Sequence, residues 1–326
     1  MRRRYRILLI TAIPVLTGVA VAGAIFNWAA ADFVSPERAP IPDTRMTWLE
    51  TPAAHGIKIT EGSIQQGKTP YLLVTADPVA GPAERGTILR DQLQERGRNL
   101  PEFGDSRGLI VILHGRRGRK ESFLPVAERF SSAGFDCVIP DLSASGDSGY
   151  DKQGFATHPH EISLVPDLLE ALGRGEEPVF LWGQSMGGCY ATRAARELGD
   201  RCAGLVVLST FDDLEPLVAD RVREVAGRVA GPTLWMLHRL VDWKGGADFS
   251  QTRPVDWAGE VKCPVLVLHG DRDTHIPPAR GRALHDAFAA SDKRFLEVPG
   301  AGHNNVLITE MQVYAEMAGW MLDRLR

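Results

Sequence analysis

The chain predicts an α/β architecture: a mostly parallel sheet flanked by helices. Three observations carry that expectation. Six short apolar runs follow one another from Gly108 onward, each bounded by Gly, Pro or Asp. Their hydrophobicity is continuous rather than alternating, which means burial on both faces, as in a parallel sheet covered by helices. Helix-length amphipathic stretches separate them, and strands alternating with helices build βαβ units.

The runs are "GLIVILHG" from Gly108, "FDCVIPDL" (135–142), "PVFLWGQ" (178–184), "GLVVLST" (204–210), "CPVLVLHG" (263–270) and "RFLEVPG" (294–300). The helical stretches are Glu121–Ala133, Glu161–Leu172, Met186–Leu198, Pro278–Ala290 and Asn305–Arg326. Two further strands are expected near Gly56–Thr60 and Thr69–Thr75. Residues 79–107 are polar and charged and read as an excursion with one short helix at Thr87–Arg96. The long interruption Phe211–Glu260 holds a charged helix pattern (Leu214–Val229) and a Trp/Leu/Met-rich piece (Thr233–Trp243). Such an insertion between two strands suits a small lid.

The N-terminus departs from this pattern. "MRRRYR" places four arginines in six residues, and Ile7–Phe26 then runs twenty residues without a charge. At about 1.5 Å per residue that is roughly 30 Å, the thickness of a bilayer core. "AAA" at 29–31 offers a signal-peptidase site, but the run exceeds the h-region of about 7–15 residues usual in cleaved signals. An uncleaved anchor is therefore preferred over a cleaved signal. Either way the arginines stay cytoplasmic and the body of the protein is exported. Residues 1–31 are the anchor or signal, the Pro-rich stretch 32–46 a linker, and 47–326 the main domain.

Composition excludes some classes. The 326 residues carry a net charge of −4, so no basic surface argues for nucleic acid. Cys137, Cys189, Cys202 and Cys263 lack any CxxC or Cys/His ligand spacing, which argues against structural zinc. Buried free thiols are preferred over disulfides, because three of the four lie in or beside apolar strand patterns. No metal or organic cofactor is implied.

In open α/β sheets ligands bind beyond the carboxyl ends of the strands. The residues expected there are His114-Gly115-Arg116, Asp141, Gly183-Gln-Ser185-Met-Gly187, His269-Gly-Asp271-Arg-Asp273, and His303. G-x-S-x-G between a strand and a helix is a nucleophile elbow: the turn strains the serine, and glycine is required where strand and helix backbones cross. The motif arises by chance roughly 0.1 times in a chain of this length, so alone it is weak. Joined by "HG", "GDRDTHIP" and "GAGH" in the order Ser, Asp, His, it is specific.

The chemistry needs these residue types. A serine hydroxyl is a poor nucleophile until a base takes its proton, which an imidazole does near neutral pH. His303 is the candidate base, and a carboxylate must orient it. Asp271 and Asp273 compete for that task, with Asp273 preferred. The tetrahedral oxyanion needs N–H donors, and the backbone amides of Arg116 and Met186 are the candidates. His114, Gly115, Gly183 and Gly187 support this geometry.

On these segments the sequence resembles the α/β-hydrolase superfamily, and within it the serine-aminopeptidase-like group that includes monoacylglycerol lipases. The matching segments are "VILHGRRGRKESFLPVAERFSSAGFDCVIPDLSASGDSG", "LWGQSMGGCYA", "CPVLVLHGDRDTHIPP" and "VPGAGHNN". The resemblance implies an α/β-hydrolase fold with Ser185, Asp273 and His303 as triad and the Arg116 and Met186 amides as oxyanion hole. Two departures are visible. "RRGRK" follows Gly115 where small or polar residues are common, and "DLSASGDSG" (141–149) stands where the family usually has an Arg-Gly loop.

Blander readings stand beside these. His114 and His269 read as structural, and Asp141 as a strand-terminating turn residue. His158 and His160 in "THPHE" read as surface loop rather than metal ligands. Arg116, Arg117, Arg119 and Lys120 read either as a solvated loop or as a subsite for a carboxylate or phosphate. Trp235, Met236, Leu237 and Leu240 read either as ordinary packing or as an acyl pocket lining. The expectation is an exported, membrane-anchored serine hydrolase acting on a small-molecule ester or thioester. A peptidase, hinted at only by Asp212, Asp213 and Glu215, an acyltransferase, and a non-catalytic binding protein are the alternatives.

Overall fold

The computed structural model describes residues 20–309 and 311–325. A helix, α1 (residues 20–34), leads into α2 (Asp43–Glu50) and then the antiparallel pair β1 (Ile57–Ile64) and β2 (Thr69–Ala76). α3 (Glu84–Glu95) occupies the polar excursion, starting three residues before the expected helix because Glu84 favours a first turn. The alternating core follows: β3 (Leu109–Leu113), α4 (Leu124–Ser132), β4 (Asp136–Pro140), α5 (Pro159–Ile162), α6 (Leu164–Leu172), β5 (Val179–Gln184), α7 (Met186–Leu198) and β6 (Cys202–Leu208). The insertion folds as α8 (Leu214–Ala226), α9 (Ala230–Trp243) and α10 (Pro254–Ala258). β7 (Val265–Gly270), α11 (Pro278–Ala287), β8 (Lys293–Val298) and α12 (Val313–Leu322) complete the chain. The last helix is shorter than the amphipathic stretch implied, because residues 305–309 form turns and bends instead of helix.

These strands form one eight-stranded sheet in the order β1-β2-β4-β3-β5-β6-β7-β8. β1, β2 and β4 pair antiparallel and every pair from β4 to β8 is parallel. The continuous apolar runs are explained by the two faces. Leu109, Val111 and Leu113 of β3 face α6 and α7, whose Leu168 and Ala191 share their core. Ile110 and Ile112 face the opposite core with Phe130 of α4 and Met317 of α12. β8 is half exposed, as an edge strand should be. β3 has β4 on one side and β5 on the other, so the loops after β3 and β5 leave the sheet in opposite directions and open a crevice between them.

The N-terminal expectations meet a mixed outcome. Residues 7–19 of the apolar run lie outside the described residues. Among the described residues, no helix is long and apolar enough to cross a membrane. The second half of α1 instead packs on the body: Ala30 and Val34 are buried, and Phe33 stacks between Phe155 and Phe249 at centroid distances of 5.3 and 5.2 Å. The stretch after it is not a free linker. Val34 accepts a hydrogen bond from the Gln153 amide at 2.8 Å, and Arg38 donates to the Ser148 carbonyl and the Asp151 carboxylate. All four cysteines are buried free thiols.

Candidate active site

The turn from β5 into α7 is tight because three positions lack a side chain. A Cβ on Gly183 would lie 2.2 Å from the Gly187 carbonyl oxygen, and one on Gly187 only 1.9 Å from that of Leu113. One on Gly188 would meet Thr210 at 2.7 Å. Ser185 between them takes φ 55°, ψ −122°, a conformation costly for any residue with a Cβ. The strain is held from several sides. Ser185 donates its amide to Leu208 O at 2.8 Å, and its carbonyl accepts from the Thr210 hydroxyl at 2.8 Å and from the Gly188 amide at 2.9 Å. Thr210, at the end of the β6 run, was not singled out in the sequence; its position beside the elbow on the neighbouring strand was the only signal for it.

His303 lies with Nε2 3.1 Å from Ser185 Oγ and Nδ1 2.8 Å from Asp273 Oδ2. Asp273 settles its protonation by what surrounds it. Burial pushes this carboxyl up, but hydrogen bonds from His269, His303 and the Ile276 amide more than offset that and hold it well below the usual carboxylate range. An ionised carboxylate only accepts, so Nδ1 of His303 carries the proton and Nε2 is left to accept from the serine. The other carboxylate oxygen, Oδ1, takes the amides of His275 at 2.9 Å and Ile276 at 2.8 Å. The competition between the two acids is thereby resolved geometrically. Asp271 turns instead to the Gly300 amide at 2.7 Å and ties down the loop that carries His303. Asn305 holds the same loop by accepting the Gly302 amide at 2.6 Å.

The two histidines read as structural behave so. His269 is fully buried, donates to Ile276 O at 2.9 Å, and reaches Asp273 Oδ2 at 3.4 Å, so it braces the acid loop. His114 is also fully buried; burial pushes its pKa down and keeps the ring neutral. Its Nε2 accepts the Leu142 amide at 3.1 Å, so Nδ1 bears the hydrogen donated to Gly115 O at 2.8 Å. The Gly118 amide donates to the same carbonyl at 2.9 Å. A peptide is planar and trans, so fixing the Gly115 carbonyl toward His114 and Gly118 turns the Arg116 N–H the other way. On the serine's side the loop runs close: a Cβ on Gly115 would lie 3.5 Å from that of Ser185.

The basic loop after Gly115 is not a solvated one. Lys120 and Arg119 are buried and committed to carboxylates: Lys120 Nζ lies 2.9 Å from both Asp141 and Glu121, and Arg119 Nε 2.5 Å from Glu121. Asp141 therefore does more than end its strand. It also accepts the Lys120 and Asp147 amides, at 2.8 and 2.9 Å, and so organises the departing segment 141–149. Arg116 and Arg117 face the site and both pair with Asp32 of α1, at 3.2 and 2.5 Å. His158, His160 and Glu161 bring possible ligand atoms within 4.8 Å of one another. Those atoms are already engaged: Glu161 accepts from Gly154, His158 and Tyr190, and His160 pairs with Ser143 at 2.9 Å. The acidic residues near the lid are likewise taken, Asp212 by Arg280 at 3.1 Å and Asp213 by Arg253 and the Glu215 amide, both at 3.1 Å. Asp212 and Asp213 are therefore not free to hold a substrate amine.

Ser185 and Arg116 stand where two cavities meet. One, of about 620 Å³, is apolar and runs between α1 and the lid, with Phe26, Phe33, Phe211, Leu214, Leu217 and Leu237 in its wall. The other, of about 550 Å³, is polar and carries Arg116, Arg117, Gln184, Arg272, His275 and His303. Leu237 thus belongs to the apolar cavity, whereas Trp235 is 63% exposed and does not line it. Arg221 of α8 donates to Thr274 O and His275 O, which ties the lid to the acid loop.

A serine on a strained strand-to-helix turn is met by an acid-braced imidazole at the carboxyl edge of this sheet. Residues 108–234 match the family model for the alpha/beta hydrolase fold. A lysophosphatidylserine lipase of Danio rerio is 25% identical over 194 residues, covering 58% of this chain and 49% of that protein. A monoacylglycerol lipase of Mycolicibacterium smegmatis is 26% identical over 260 residues, covering 68% and 90%. Among solved structures, a Pyrococcus furiosus esterase superposes with a TM-score of 0.62 at 16% identity, covering 90% of this chain and 98% of that one. The Paleococcus ferrophilus monoacylglycerol lipase does so at 0.52 and 20%, covering 68% and 97%. At those identities the structural likeness speaks to the fold. The chain spans about half the length of the lysophosphatidylserine lipases it matches. The fold is that of the α/β hydrolases, and the relatives it resembles over this region include lipases of the monoacylglycerol and lysophosphatidylserine type.

Proposed function

We propose that this chain is a serine hydrolase that cleaves a carboxylic ester joining an apolar acyl chain to a polar leaving group. The observation that carries the reading is the position of Ser185, with His303 Nε2 at 3.1 Å, on the boundary between an apolar and a polar cavity. An apolar cavity of about 620 Å³ is within the usual size of ligand pockets and favours the acyl chain, and the polar one favours the leaving group.

In this mechanism Ser185 Oγ attacks the ester carbonyl carbon while His303 Nε2 takes the hydroxyl proton. Asp273 keeps the imidazole in the required tautomer and stabilises the imidazolium. The carbonyl oxygen becomes an oxyanion, which the amides of Arg116 and Met186 receive; Met186 opens α7, so the helix dipole adds to its donor. His303 returns the proton to the leaving alkoxide as the carbon–oxygen bond breaks. A water then attacks the acyl-serine, giving its proton to His303, which passes it to Ser185 Oγ as the acyl–oxygen bond breaks and the acid leaves. No cofactor takes part. The apolar run beginning at Ile7 anchors the enzyme in the membrane, with the catalytic body on the extracytoplasmic side.

The test is labelling with a fluorophosphonate. The native chain is expected to label and Ser185→Ala not to, and the rate on p-nitrophenyl esters is expected to rise from butanoyl toward dodecanoyl. Labelling that survives Ser185→Ala would place the nucleophile elsewhere. A rate highest for acetyl and falling steadily with length would remove the acyl chain from the apolar cavity.

A further inference from the structure

We infer that the polar cavity beside Ser185 is a subsite for an anionic leaving group, a carboxylate or a phosphate held by Arg117 and Arg272. The inference rests on the esterase reading above and names the class of ester. Its starting point is the charge of the cavity wall. Three guanidinium groups line it, those of Arg116, Arg117 and Arg272, together with Ser185 and His303. Among the described residues, no carboxylate lines it. Burial, then His303 and Arg221, push the pKa of His275 down, so that ring offers a hydrogen bond and no charge.

The three arginines are not equally committed. Arg116 is anchored to α1: it donates to the Asp32 carbonyl at 2.5 Å and pairs with its carboxylate at 3.2 Å. Arg117 pairs with the other oxygen of the same carboxylate at 2.5 Å, so two guanidinium groups share one negative charge. The Arg117 side chain is half exposed, and an exposed pair of this kind contributes little, which leaves it open to a second anion. Arg272 is exposed and, among the described residues, has no ion-pair partner. Three positive charges are thus opposed by the one on Asp32, apart from the buried Asp273 that serves His303.

The backbone points the same way. Arg117 stands at φ 61°, the left-handed region where a residue with a Cβ is strained. It lies in a turn closed by the Gly118 amide on the Gly115 carbonyl, and glycine would fill its position without strain. An arginine kept there places a cation next to the Arg116 amide proposed for the oxyanion. Arg272 is fixed from the other side. Its amide donates to Ala301 O at 2.9 Å, and a Cβ on Gly302 would lie 3.7 Å from its carbonyl oxygen, so its backbone runs beside the loop that carries His303. One cation borders the oxyanion side of the polar cavity and the other the histidine side, and the leaving group departs between them. A guanidinium presents paired N–H donors that match a carboxylate or a phosphate. An uncharged leaving group would use neither.

The experiment uses the full chain in non-ionic detergent with the octanoyl esters of glycerol, glycerol 3-phosphate and lactate. The wild type is expected to favour an anionic ester over the glycerol ester about tenfold or more in kcat/KM. Arg272→Gln and Arg117→Gly should each cut that ratio about fivefold or more, through KM, and Arg272→Lys should keep most of it. A fall in one variant alone assigns the contact to that arginine. A wild type that favours neither anionic ester, or a ratio unchanged in both variants, would overturn the subsite. Free glycerol 3-phosphate and free lactate are also tested as inhibitors of glycerol-ester hydrolysis by the wild type, where the folding of a variant plays no part. One of them is expected to inhibit more strongly than glycerol does, and the stronger of the two tells phosphate from carboxylate. Inhibition by both no greater than that by glycerol would equally overturn the subsite. Failure of the esterase reading is separately visible, because no octanoyl ester would be hydrolysed and Ser185 would not label with a fluorophosphonate.

Discussion

Asp273 shows how two acids two residues apart acquire different tasks. Its carboxylate meets an imidazole at 2.8 Å and two amides, whereas that of Asp271 accepts the Gly300 amide. Asp273→Asn is expected to lower kcat by about 10⁴, because the amide cannot hold the imidazole in the productive tautomer, with KM little changed. Asp271→Ala should lower it by less than about tenfold, since only the loop is loosened. Equal losses in steady-state kinetics on one soluble ester would void the assignment. The acid also couples the site to stability. Its folded pKa is depressed, so its contribution is fully present above the unfolded value near 3.9 and is lost as pH falls through the folded value. The thermal midpoint of wild type should therefore approach that of Asp273→Asn as pH is lowered below about 4.

Among the elements, the turn from β5 to α7 depends on what is missing. The Gly187 position has no room for a methyl group, because the carbonyl of Leu113 on the neighbouring strand occupies the space. Gly187→Ala must push β3 and α7 apart, and is expected to destabilise the fold by about 3 kcal/mol. Gly175→Ala, where the nearest atom would be the end of the Arg201 side chain at 3.4 Å, should be close to neutral. Denaturant midpoints distinguish the two, and similar midpoints would mean the elbow is looser than its geometry implies. The loop after β3 is a second element held from outside itself. Its Arg116 side chain is largely buried and anchored to the backbone and carboxylate of Asp32. Asp32→Asn removes the charge that balances Arg116 and Arg117, and kcat/KM is expected to fall about tenfold, which is about 1.4 kcal/mol. An unchanged kcat/KM would mean that α1 holds the loop without affecting the chemistry.

At the scale of the molecule, the described residues form an α/β-hydrolase-fold body with α1 packed against it. α1 supplies one wall of the apolar cavity, the lid supplies another, and Ser185 lies where that cavity meets the polar one. The lid is joined to the acid loop by Arg221 and to α11 by Arg280, so movement of the lid is mechanically connected to the histidine side of the site. The N-terminal segment therefore belongs to the reading of substrate choice as much as to that of location.

Much of this was legible in the chain. The parallel core follows from continuous apolar runs, since burial on both faces leaves no other pattern. The nucleophile turn follows from glycines at 183 and 187, whose absent side chains have one physical explanation there. α7 begins and ends where the sequence places it, because the elbow sets its start and Gly199 its end. Other features depend on residues far apart in the chain and had no local signal. Whether Asp271 or Asp273 meets His303 was decided by which carboxylate the turn after β7 aims across the crevice. Arg119 and Lys120 look like a solvated charge run until Asp141, Asp147 and Glu121 are brought around them. Asp32 reads as the start of a linker until it is found against Arg116 and Arg117, more than eighty residues away. Periodicity and backbone sterics are local and are written in sequence; charge pairing, cavity walls and the choice between two neighbouring acids are set by distance in space, and only the tertiary structure decides them.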